Sequence, residues 1–417
     1  MHRVFVIGFV WPEPGSSAAG VRMLQLLEKF IENKWDVTFG SAASKSDFSK
    51  DLESIGVKTV EIQLNNTSFD MLIKELNPTI VLFDRFMVEE QYGWRVSEHC
   101  PNALKVLDTE DLHCLRKARE EAFKNAIPFR QSFLNNEIAL RELASIYRCD
   151  MSLMISDFEI ELLKTVFSVS ESLLCYLPMW VPNKQLVELS SLPSFDERED
   201  IVFIGNFLHN PNVDAVIYLK KVIWPLISKK LPAVKLHIYG AYSSQKVLQL
   251  HNLNERFLVH GRAVSVEEVM RKAKICVAPL RFGAGVKGKL LDAMRLGTPS
   301  VTTHIGAEAM SVEGVLGGAI FDDPEEFSNA AVTLYLNKTL WLRAQSEGIS
   351  VLNKRFLEPE AAFFNLFTKL HDSLDLHREK NVVGRLLQYH TLQGSKYMSK
   401  WIEEKNKVLD QNKFKSE

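Results

Sequence analysis

The sequence predicts an α/β protein built from two doubly wound domains that face each other across a cleft. Patterns typical of buried strands alternate with helical patterns along most of the chain, which favours parallel sheets. A segment with three prolines, residues 177–198, interrupts this alternation near the middle. The 417 residues are also too many for one domain and suit two of roughly 150–200 residues each.

The first domain is predicted to span residues 1–178. Short apolar runs predict its strands at Val4–Phe9, Asp36–Gly40, Thr59–Leu64, Thr79–Phe83, Ala103–Leu107 and Leu153–Ser156. Apolar residues at helical spacing predict helices at Val21–Glu32, Leu112–Tyr147 with a break at Pro128, and Asp157–Phe167.

Residues 179–199 are predicted to link this domain to a second one at residues 200–350. Its strands are predicted at Ile201–Gly205, Lys235–Tyr239, Phe257–His260, Ile275–Leu280 and Ser300–Thr303. Its helices are predicted at Val213–Leu226, Ser243–Leu250, Val266–Ala273 and Glu325–Leu336. Residues 351–417 form a helical, polar tail with an apolar stripe of Tyr397, Trp401 and Leu409. That stripe either packs back on the first domain or contacts a partner protein or an anionic membrane surface.

Composition excludes several classes of function. The 50 basic and 52 acidic residues nearly cancel, so no basic surface to attract nucleic acid is expected. No apolar run approaches the length of a transmembrane helix, and the first residues read as a buried strand rather than a signal peptide. The five cysteines are odd in number and lack C-x-x-C spacing. We therefore expect reduced thiols in a cytoplasmic protein.

A glycine-rich loop between a strand and a helix carries the strongest chemical signal. Gly283, Gly285 and Gly288 alternate with Lys287 and Lys289, and Arg281 precedes them. Backbone N–H groups of such a loop, together with the N-terminus of the following helix, point towards an anion, usually a phosphate. Cations at that end of a helix oppose its dipole, so they favour a bound anion over a purely structural role.

Two familiar nucleotide-binding patterns fit this loop poorly. Gly283–Lys289 matches G-x-x-x-x-G-K, but residue 290 is Leu where a phosphate-loop triphosphatase needs Ser or Thr to hold Mg²⁺. A nicotinamide-dependent oxidoreductase is also disfavoured, because no G-x-G-x-x-G follows the first strand. No metal-binding cluster is predicted.

A longer pattern matches much better. The residues that carry it are Pro279, Gly283, Gly285, Lys289, Asp292-Ala-Met, Gly297, Pro299, Thr302 or Thr303, Gly306 and Glu308. Together they resemble the donor-binding half of retaining, two-domain glycosyltransferases of the GT-B type, in particular the family 4 (group 1) enzymes. The resemblance covers about residues 200–350 and implies two Rossmann-like domains, a nucleotide-diphosphate sugar as donor, no metal cofactor, and an acceptor of unknown identity.

The resemblance also implies roles for individual residues. It makes Lys289 the catalytic cation that stabilises the departing diphosphate, with Lys287 beside it, and Asp292 the carboxylate that holds the ribose. The other donor-binding positions that it implies are Gly15, Ser16, Gly20, Asn206, His209, Gly240, Arg262, Arg281, Gly283, Gly285, Gly288 and Glu308.

In the first domain, Asp108-Thr-Glu-Asp111-Leu-His113, with Arg116 and Arg119 after it, follows a predicted strand. Open α/β sheets bind ligands at such strand ends, so Asp111 and His113 are expected to orient the acceptor. Asp84-Arg85 at another strand end is a second acceptor-side candidate.

One departure from the family pattern leaves an alternative open. The first of the family's two glutamates is replaced by Ala284, and the second by the shorter Asp292. The chain is therefore either an active hexosyltransferase or a catalytically silent relative that binds nucleotide sugars or serves as an assembly subunit.

Overall fold

The protein contains two parallel β-sheets, each covered by helices on both faces. The structure is a computed structural model that describes residues 2–414. The first sheet has the strand order β3-β2-β1-β4-β5-β6-β7. Its strands are β1 (Arg3–Gly8), β2 (Asp36–Ser41), β3 (Lys58–Glu61), β4 (Ile80–Asp84), β5 (Leu104–Asp108), β6 (Met151–Met154) and β7 (Leu174–Tyr176).

The second sheet has the order β10-β9-β8-β11-β12-β13. Its strands are β8 (Glu199–Ile204), β9 (Leu236–Tyr239), β10 (Phe257–Gly261), β11 (Ala273–Ala278), β12 (Ser300–Thr302) and β13 (Gly318–Ile320). The strand pairs within both sheets are parallel. The expected pair of doubly wound, Rossmann-like sheets is thus confirmed.

The helices connect the strands and cover both faces of each sheet. Those of the first half are α1 (Ala18–Glu32), α2 (Ser68–Leu76), α3 (Phe86–His99), α4 (His113–Lys124), α5 (Glu137–Arg148) and α6 (Asp157–Phe167). Those of the second half are α7 (Asn210–Tyr218), α8 (Trp224–Lys230), α9 (Gln245–Leu248), α10 (Val266–Lys272), α11 (Gly288–Arg295), α12 (His304–Ala307), α13 (Pro324–Leu336) and α14 (Lys338–Arg355). The tail forms α15 (Asn365–Asp372), α16 (Leu374–Lys380), α17 (Val382–Gln393) and α18 (Ser395–Phe414).

The central strands are rich in apolar residues because helices cover both faces of the sheet. All five residues of β4 are buried, and so are all five residues of β5. A separate apolar cluster lies between the two sheets, where Ile155 and Met179 meet Val286, Leu290 and Met310. This cluster fixes the glycine-rich loop against the first half of the chain.

Two predicted helices differ from the structure, and two of its short strands were not predicted. The long helical stretch at 112–147 is two helices, α4 and α5, separated by an irregular segment around Pro128 and a 3₁₀ turn at Gln131–Leu134. The predicted helix 213–226 widens into a π-helical turn at Leu219–Ile223, directly before Pro225, which cannot donate a helical hydrogen bond. The strands β7 and β13 were missed, because three residues are too few to show a period.

The tail packs against the helices and strands of the first sheet. Phe364, Phe367 and Leu374 join the apolar core around Phe30. Arg378 donates to Asp150 at 2.7 and 2.8 Å. Further along, Arg95 of α3 pairs with Glu403 of α18. The tail as a whole thus packs against the first domain, but Tyr397 and Trp401 of the expected apolar stripe are exposed. The side chain of Leu409 and residues 415–417 lie outside the described part.

Candidate functional site

A cavity of about 320 Å³ lies between the carboxyl ends of the two sheets, and both halves of the chain line it. Open parallel sheets bind ligands at this edge, because the loops that follow the strands converge there. Fourteen of the predicted site residues line it: Gly15, Ser16, Asp111, His113, Asn206, His209, Gly240, Arg262, Gly283, Gly285, Lys287, Gly288, Lys289 and Asp292.

Three predicted positions lie outside the cavity wall. Arg281 donates to both oxygens of Asp214 at 2.9 and 2.6 Å and lies over the rings of Phe123 and Tyr218. Gly20 is packed inside α1, where a Cβ would come within 2.5 Å of the Glu13 backbone. Glu308 is paired with Arg119 across the interface between the two sheets. These three residues thus make packing or ion-pair contacts and do not line the cavity.

The glycine-rich loop is held in a conformation that glycine adopts easily. Gly283 has φ 146° and Gly285 has φ 67°. A Cβ on Gly285 would lie 2.8 Å from the Cβ of Asp111. A Cβ on Gly288 would lie 2.9 Å from the Cβ of Ala18. The loop therefore touches the first half of the chain so closely that side chains at these two positions would push the halves apart.

Lys289 lies in the first turn of α11 and borders the cavity. Its Nζ donates to Asn212 Oδ1 at 2.9 Å, and the ammonium lies 5.4 Å from the centre of the Phe203 ring. Burial, with the charge of Lys287 nearby, lowers the pKa of Lys289 to about 8. The first amides of α11 have no acceptors within the helix and lie beside this cation. The turn therefore offers an ammonium and N–H groups to an anion.

Lys287 plays a different part from Lys289. Its Nζ donates to the carbonyl oxygens of Ala284 at 3.1 Å and Gly285 at 2.5 Å. The side chain is almost fully buried, and this burial lowers its pKa. Lys287 thus ties the loop to itself while adding positive charge to the cavity wall.

The loop after β1 meets the second half of the chain across the cavity mouth. Ser16 accepts a hydrogen bond through its carbonyl oxygen from Asn206 Nδ2 at 3.1 Å. A Cβ on Gly15 would lie 2.4 Å from Nη2 of Arg262, so glycine allows that guanidinium to reach the cavity. Tyr242 Oη donates to the carboxylate of Glu13 nearby.

On the first-domain side, Asp111 and Arg116 form an ion pair in which Arg116 Nη1 donates to Asp111 Oδ1 at 2.6 Å. Burial would raise the pKa of Asp111, but the charges of Arg116 and His113 outweigh it and lower the pKa to about 2. The His113 amide donates to Glu142 Oε1 at 2.8 Å, which caps the start of α4. Desolvation in the cleft, with Arg116 beside it, lowers the pKa of His209 to about 4.

Two first-domain residues have backbone conformations unusual for residues other than glycine. Arg85 precedes α3 with φ 73° and ψ 157°, and Glu110 has φ 61°. Both line the cavity. Burial and the neighbouring Asp108 raise the pKa of Glu110 to about 8. Strained residues of this kind concentrate at functional sites, which sets Arg85 and Glu110 beside Asp111 as candidates.

Sequence reasoning missed one residue that contacts the glycine-rich loop. Glu159 of α6 is fully buried and accepts a hydrogen bond from the Gly285 amide at 2.8 Å. In the sequence it completes Ser156-x-x-Glu159, the pattern of a local helix cap, and so resembles an ordinary first-turn residue. Ser156 does cap α6, but the side chain of Glu159 reaches the loop instead.

Comparison with known proteins agrees with this geometry. Residues 198–337 match the family described as Glycosyl transferases group 1. A curated relative from Klebsiella pneumoniae, an uncharacterized 44.6 kDa protein in the cps region, is 28% identical over 31% of this chain. That match spans 36% of the relative's own length, so it compares only part of the two proteins.

Solved structures resemble nearly the whole chain. Sucrose-phosphate synthase from Thermosynechococcus elongatus has a TM-score of 0.68 at 15% identity, over 89% of this chain and 100% of that one. Anabaena Alr3699/HepE, solved in complex with UDP and glucose, has a TM-score of 0.63 at 12% identity, over 90% of this chain and 100% of that one. WaaG, a glycosyltransferase involved in lipopolysaccharide biosynthesis, has a TM-score of 0.61 at 13% identity, over 88% of this chain and 98% of that one. The chain thus has the two-domain GT-B fold of these structures, and its residues 198–337 match the model of the group 1 glycosyltransferase family.

Proposed function

We propose that this protein transfers a sugar from a nucleotide-diphosphate sugar to an acceptor that binds against the first domain. The observation that carries this proposal is the position of Lys289 and the first turn of α11 at a cavity between the two sheets. An ammonium group and free amides at that point suit a pyrophosphate. The family match of the surrounding domain supports the same reading.

The leaving diphosphate would be neutralised by protein groups rather than by a metal ion. Lys289 and Arg262 both line the cavity, and Lys287 adds charge from within the loop. Positively charged groups fixed in a cavity stabilise a developing negative charge without reorganising during the reaction. Asp292, which also lines the cavity, is the candidate to bind the ribose hydroxyls.

The acceptor would bind beside Asp111 and His113, with Arg85 and Glu110 on the same wall. A front-face transfer with retention needs no strong general base, because the leaving phosphate can take the proton of the acceptor hydroxyl. Asp111 remains ionised at neutral pH and can accept a hydrogen bond from that hydroxyl. It would thus orient the acceptor.

The silent alternative keeps a specific observation in its favour. Position 284 carries a methyl group instead of a carboxylate, and this methyl packs against the core of the first domain. A relative that binds nucleotide sugar without transferring it would bind UDP-glucose and leave it intact with every acceptor. Measuring donor binding together with donor hydrolysis separates the two functions, since only the transferase consumes the donor.

A thermal-shift screen against UDP-, GDP-, ADP- and TDP-sugars tests the proposed donor class. A ligand that binds only the native state raises its stability by mass action, so the right nucleotide should raise the melting temperature in a concentration-dependent way. No shift with any of these nucleotides at millimolar concentration would contradict the proposal.

We further propose that residues 1–178 and 200–350 act as two domains that move about the segment 179–199, and that the tail moves together with the first domain.

The five cysteines are all free and buried, which supports a reducing, cytoplasmic setting. Among residues 2–414, no helix combines the length and the apolar character that crossing a bilayer requires.

The tail also has an outward face that supports contact with an anionic membrane surface. In α18, Ser399 and Glu403 face the protein, whereas Tyr397, Trp401 and Val408 are exposed on the opposite side. In α17, the exposed residues Val382, Leu386 and Tyr389 lie opposite the buried Gly384. The exposed Lys400, Lys405 and Arg385 flank these stripes. Aromatic and basic residues arranged in this way suit the headgroup region of a bilayer.

A further inference from the structure

We propose that Glu159, together with Arg119, is a positioning residue of the donor site that makes the conformation of the glycine-rich loop depend on closure of the first domain. This inference rests on the proposed function, because it concerns the loop that would border the donor. It assigns the first domain a part in shaping the donor site, beyond its part in binding the acceptor.

Contacts from the first domain reach both a donor and an acceptor group of the loop backbone. Glu159 Oε1 accepts from the Gly285 amide at 2.8 Å. Arg119 Nη1 donates to the Gly283 carbonyl oxygen at 2.8 Å. The residue between them, Ala284, packs against the apolar core of the first domain. Three successive loop residues are therefore fixed by groups that belong to the other half of the chain.

Arg119 ties this loop to a second segment of the second domain. Its guanidinium pairs with both oxygens of Glu308 at 2.8 and 2.7 Å, and both side chains are largely buried. Two-point pairing of this kind fixes orientation as well as distance. Arg119 thus holds Gly283 and Glu308 in one arrangement as long as the domains are in contact.

Glu159 is unusual for a residue in the first turn of a helix. Its ordinary partner there would be the backbone of its own N-cap, Ser156. Instead the carboxyl group crosses to Gly285, and Oε2 is buried with no partner among the described residues. Burying a carboxyl group is costly unless polar groups compensate, and the backbone amides of Gly285 and Leu112 both stabilise the charged form of Glu159. The hydrogen bond to Gly285 at 2.8 Å is the one that reaches the loop.

The surroundings of the loop explain why a hydrogen-bond acceptor from the first domain suits it. With Ala at position 284, the loop has no acidic side chain of its own. The Ala284 side chain packs against the core of the first domain, so the first domain supplies the neighbouring part of the cavity wall. Burial, with the charge of Asp111 nearby, raises the pKa of Glu159 to about 8. At neutral pH the group is therefore largely protonated and adds little negative charge beside the diphosphate site.

Four single variants of the full-length protein test this role: Glu159→Ala, Glu159→Asp, Glu159→Gln and Tyr242→Phe. The Asp variant keeps the acid but is one methylene too short to reach Gly285. The Gln variant keeps the accepting oxygen without the acid. Tyr242→Phe is the matched control, because it removes a hydrogen bond to Glu13 between the same domains and touches no loop residue.

Two measurements apply to each variant: hydrogen exchange of the peptide that contains Gly285 in the free protein, and the dissociation constant for UDP, GDP, ADP or TDP, whichever binds the wild type. We expect Glu159→Ala and Glu159→Asp to accelerate hydrogen exchange in the loop. Both should weaken nucleotide binding about tenfold, the scale of one well-placed hydrogen bond. The Glu159→Gln and Tyr242→Phe variants should resemble the wild type in both measurements. Because a merely structural loss would appear as a lower melting temperature without change in loop exchange, the exchange measurement identifies the contact.

The inference is overturned if Glu159→Ala leaves loop exchange and nucleotide affinity unchanged, or if Glu159→Gln is as impaired as Glu159→Ala. A wild-type protein that binds none of the four nucleotides would instead refute the proposed function. In that case the exchange measurement still decides whether Glu159 holds the loop.

Discussion

Lys289 Nζ donates a hydrogen bond to Asn212 Oδ1 at 2.9 Å, and this contact aims the ammonium group along the wall of the cavity. Asn212 is itself held by a hydrogen bond from its amide nitrogen to the Asn206 carbonyl oxygen at 2.8 Å. The cation is thus positioned by a neutral partner that does not cancel its charge. A carboxylate at position 212 would have competed with a phosphate for the same ammonium.

Replacing Lys289 should remove most of the stabilisation of the leaving diphosphate. We expect Lys289→Ala to lower turnover roughly ten- to hundredfold, the scale of losing one charge-stabilising group. Lys272→Ala, on the exposed side of α10, serves as the control and should leave turnover unchanged. Steady-state kinetics with the donor found in the screen make the comparison. Equal turnover of the folded Lys289→Ala protein would remove Lys289 from this role.

Nucleotide binding should depend on pH through the same residue. Because the pKa of Lys289 is lowered to about 8, its charged form prevails below that pH and is lost as the pH rises through it. The charged form is the one that attracts a diphosphate, so affinity should fall as the pH rises through that value. Calorimetric titration at several pH values measures this. Glu159 also has a pKa of about 8 and gains negative charge over the same range, so the test is made in a Glu159→Gln background. There Lys289→Met should abolish the fall, and a wild-type affinity that rises across the same range would contradict the assignment.

The close contact of the glycine-rich loop with the first domain predicts an effect of adding one methyl group. Gly285→Ala would place its Cβ 2.8 Å from that of Asp111 and should hold the domains apart. Small-angle scattering should show a larger radius of gyration, and nucleotide affinity should fall.

Gly314→Ala provides the matched control for this substitution. Gly314 also has a positive φ, 80°, but a Cβ added there would meet no atom within 4 Å. It therefore carries the same backbone cost, about 1 to 2 kcal/mol, without the clash. If both variants scatter alike and bind nucleotide alike, contact between Gly285 and Asp111 does not control closure.

The outward face of the tail predicts binding to anionic vesicles. Wild-type protein should sediment with vesicles that contain phosphatidylglycerol and less with pure phosphatidylcholine. A variant with Leu386→Ser, Tyr397→Ser and Trp401→Ser should lose this binding without loss of helical content, because the three side chains are exposed. Leu253→Ser, an equally exposed position in the second domain, is the control. Equal sedimentation with and without the three changes would refute the tail as a membrane contact.

The fold and the place of the glycine-rich loop within it were predictable because local pattern determines both. The run from Ile275 to Pro299 contains a strand, a glycine loop and a capped helix in unbroken order, so spacing alone locates the loop and Lys289 at one end of a sheet. In the structure this loop and the loop after β1 both line the cavity between the sheets.

What could not be predicted depends on contacts between residues far apart in sequence. Arg281 lies two residues before Gly283, yet its pairing with Asp214 takes it out of the cavity. Glu308 belongs to the family pattern, but Arg119, 189 positions away, binds it. Glu159 reaches Gly285 across 126 positions, and no local pattern distinguishes it from a helix cap. Side-chain partners of this kind are set by how the two domains meet.

A crystal structure with the nucleoside diphosphate selected by the screen tests the central claim most directly. We expect a phosphate oxygen within about 2.7–3.2 Å of Lys289 Nζ, with a second one against the first amides of α11. A nucleotide bound elsewhere on the protein, with Lys289 still donating only to Asn212, would contradict it.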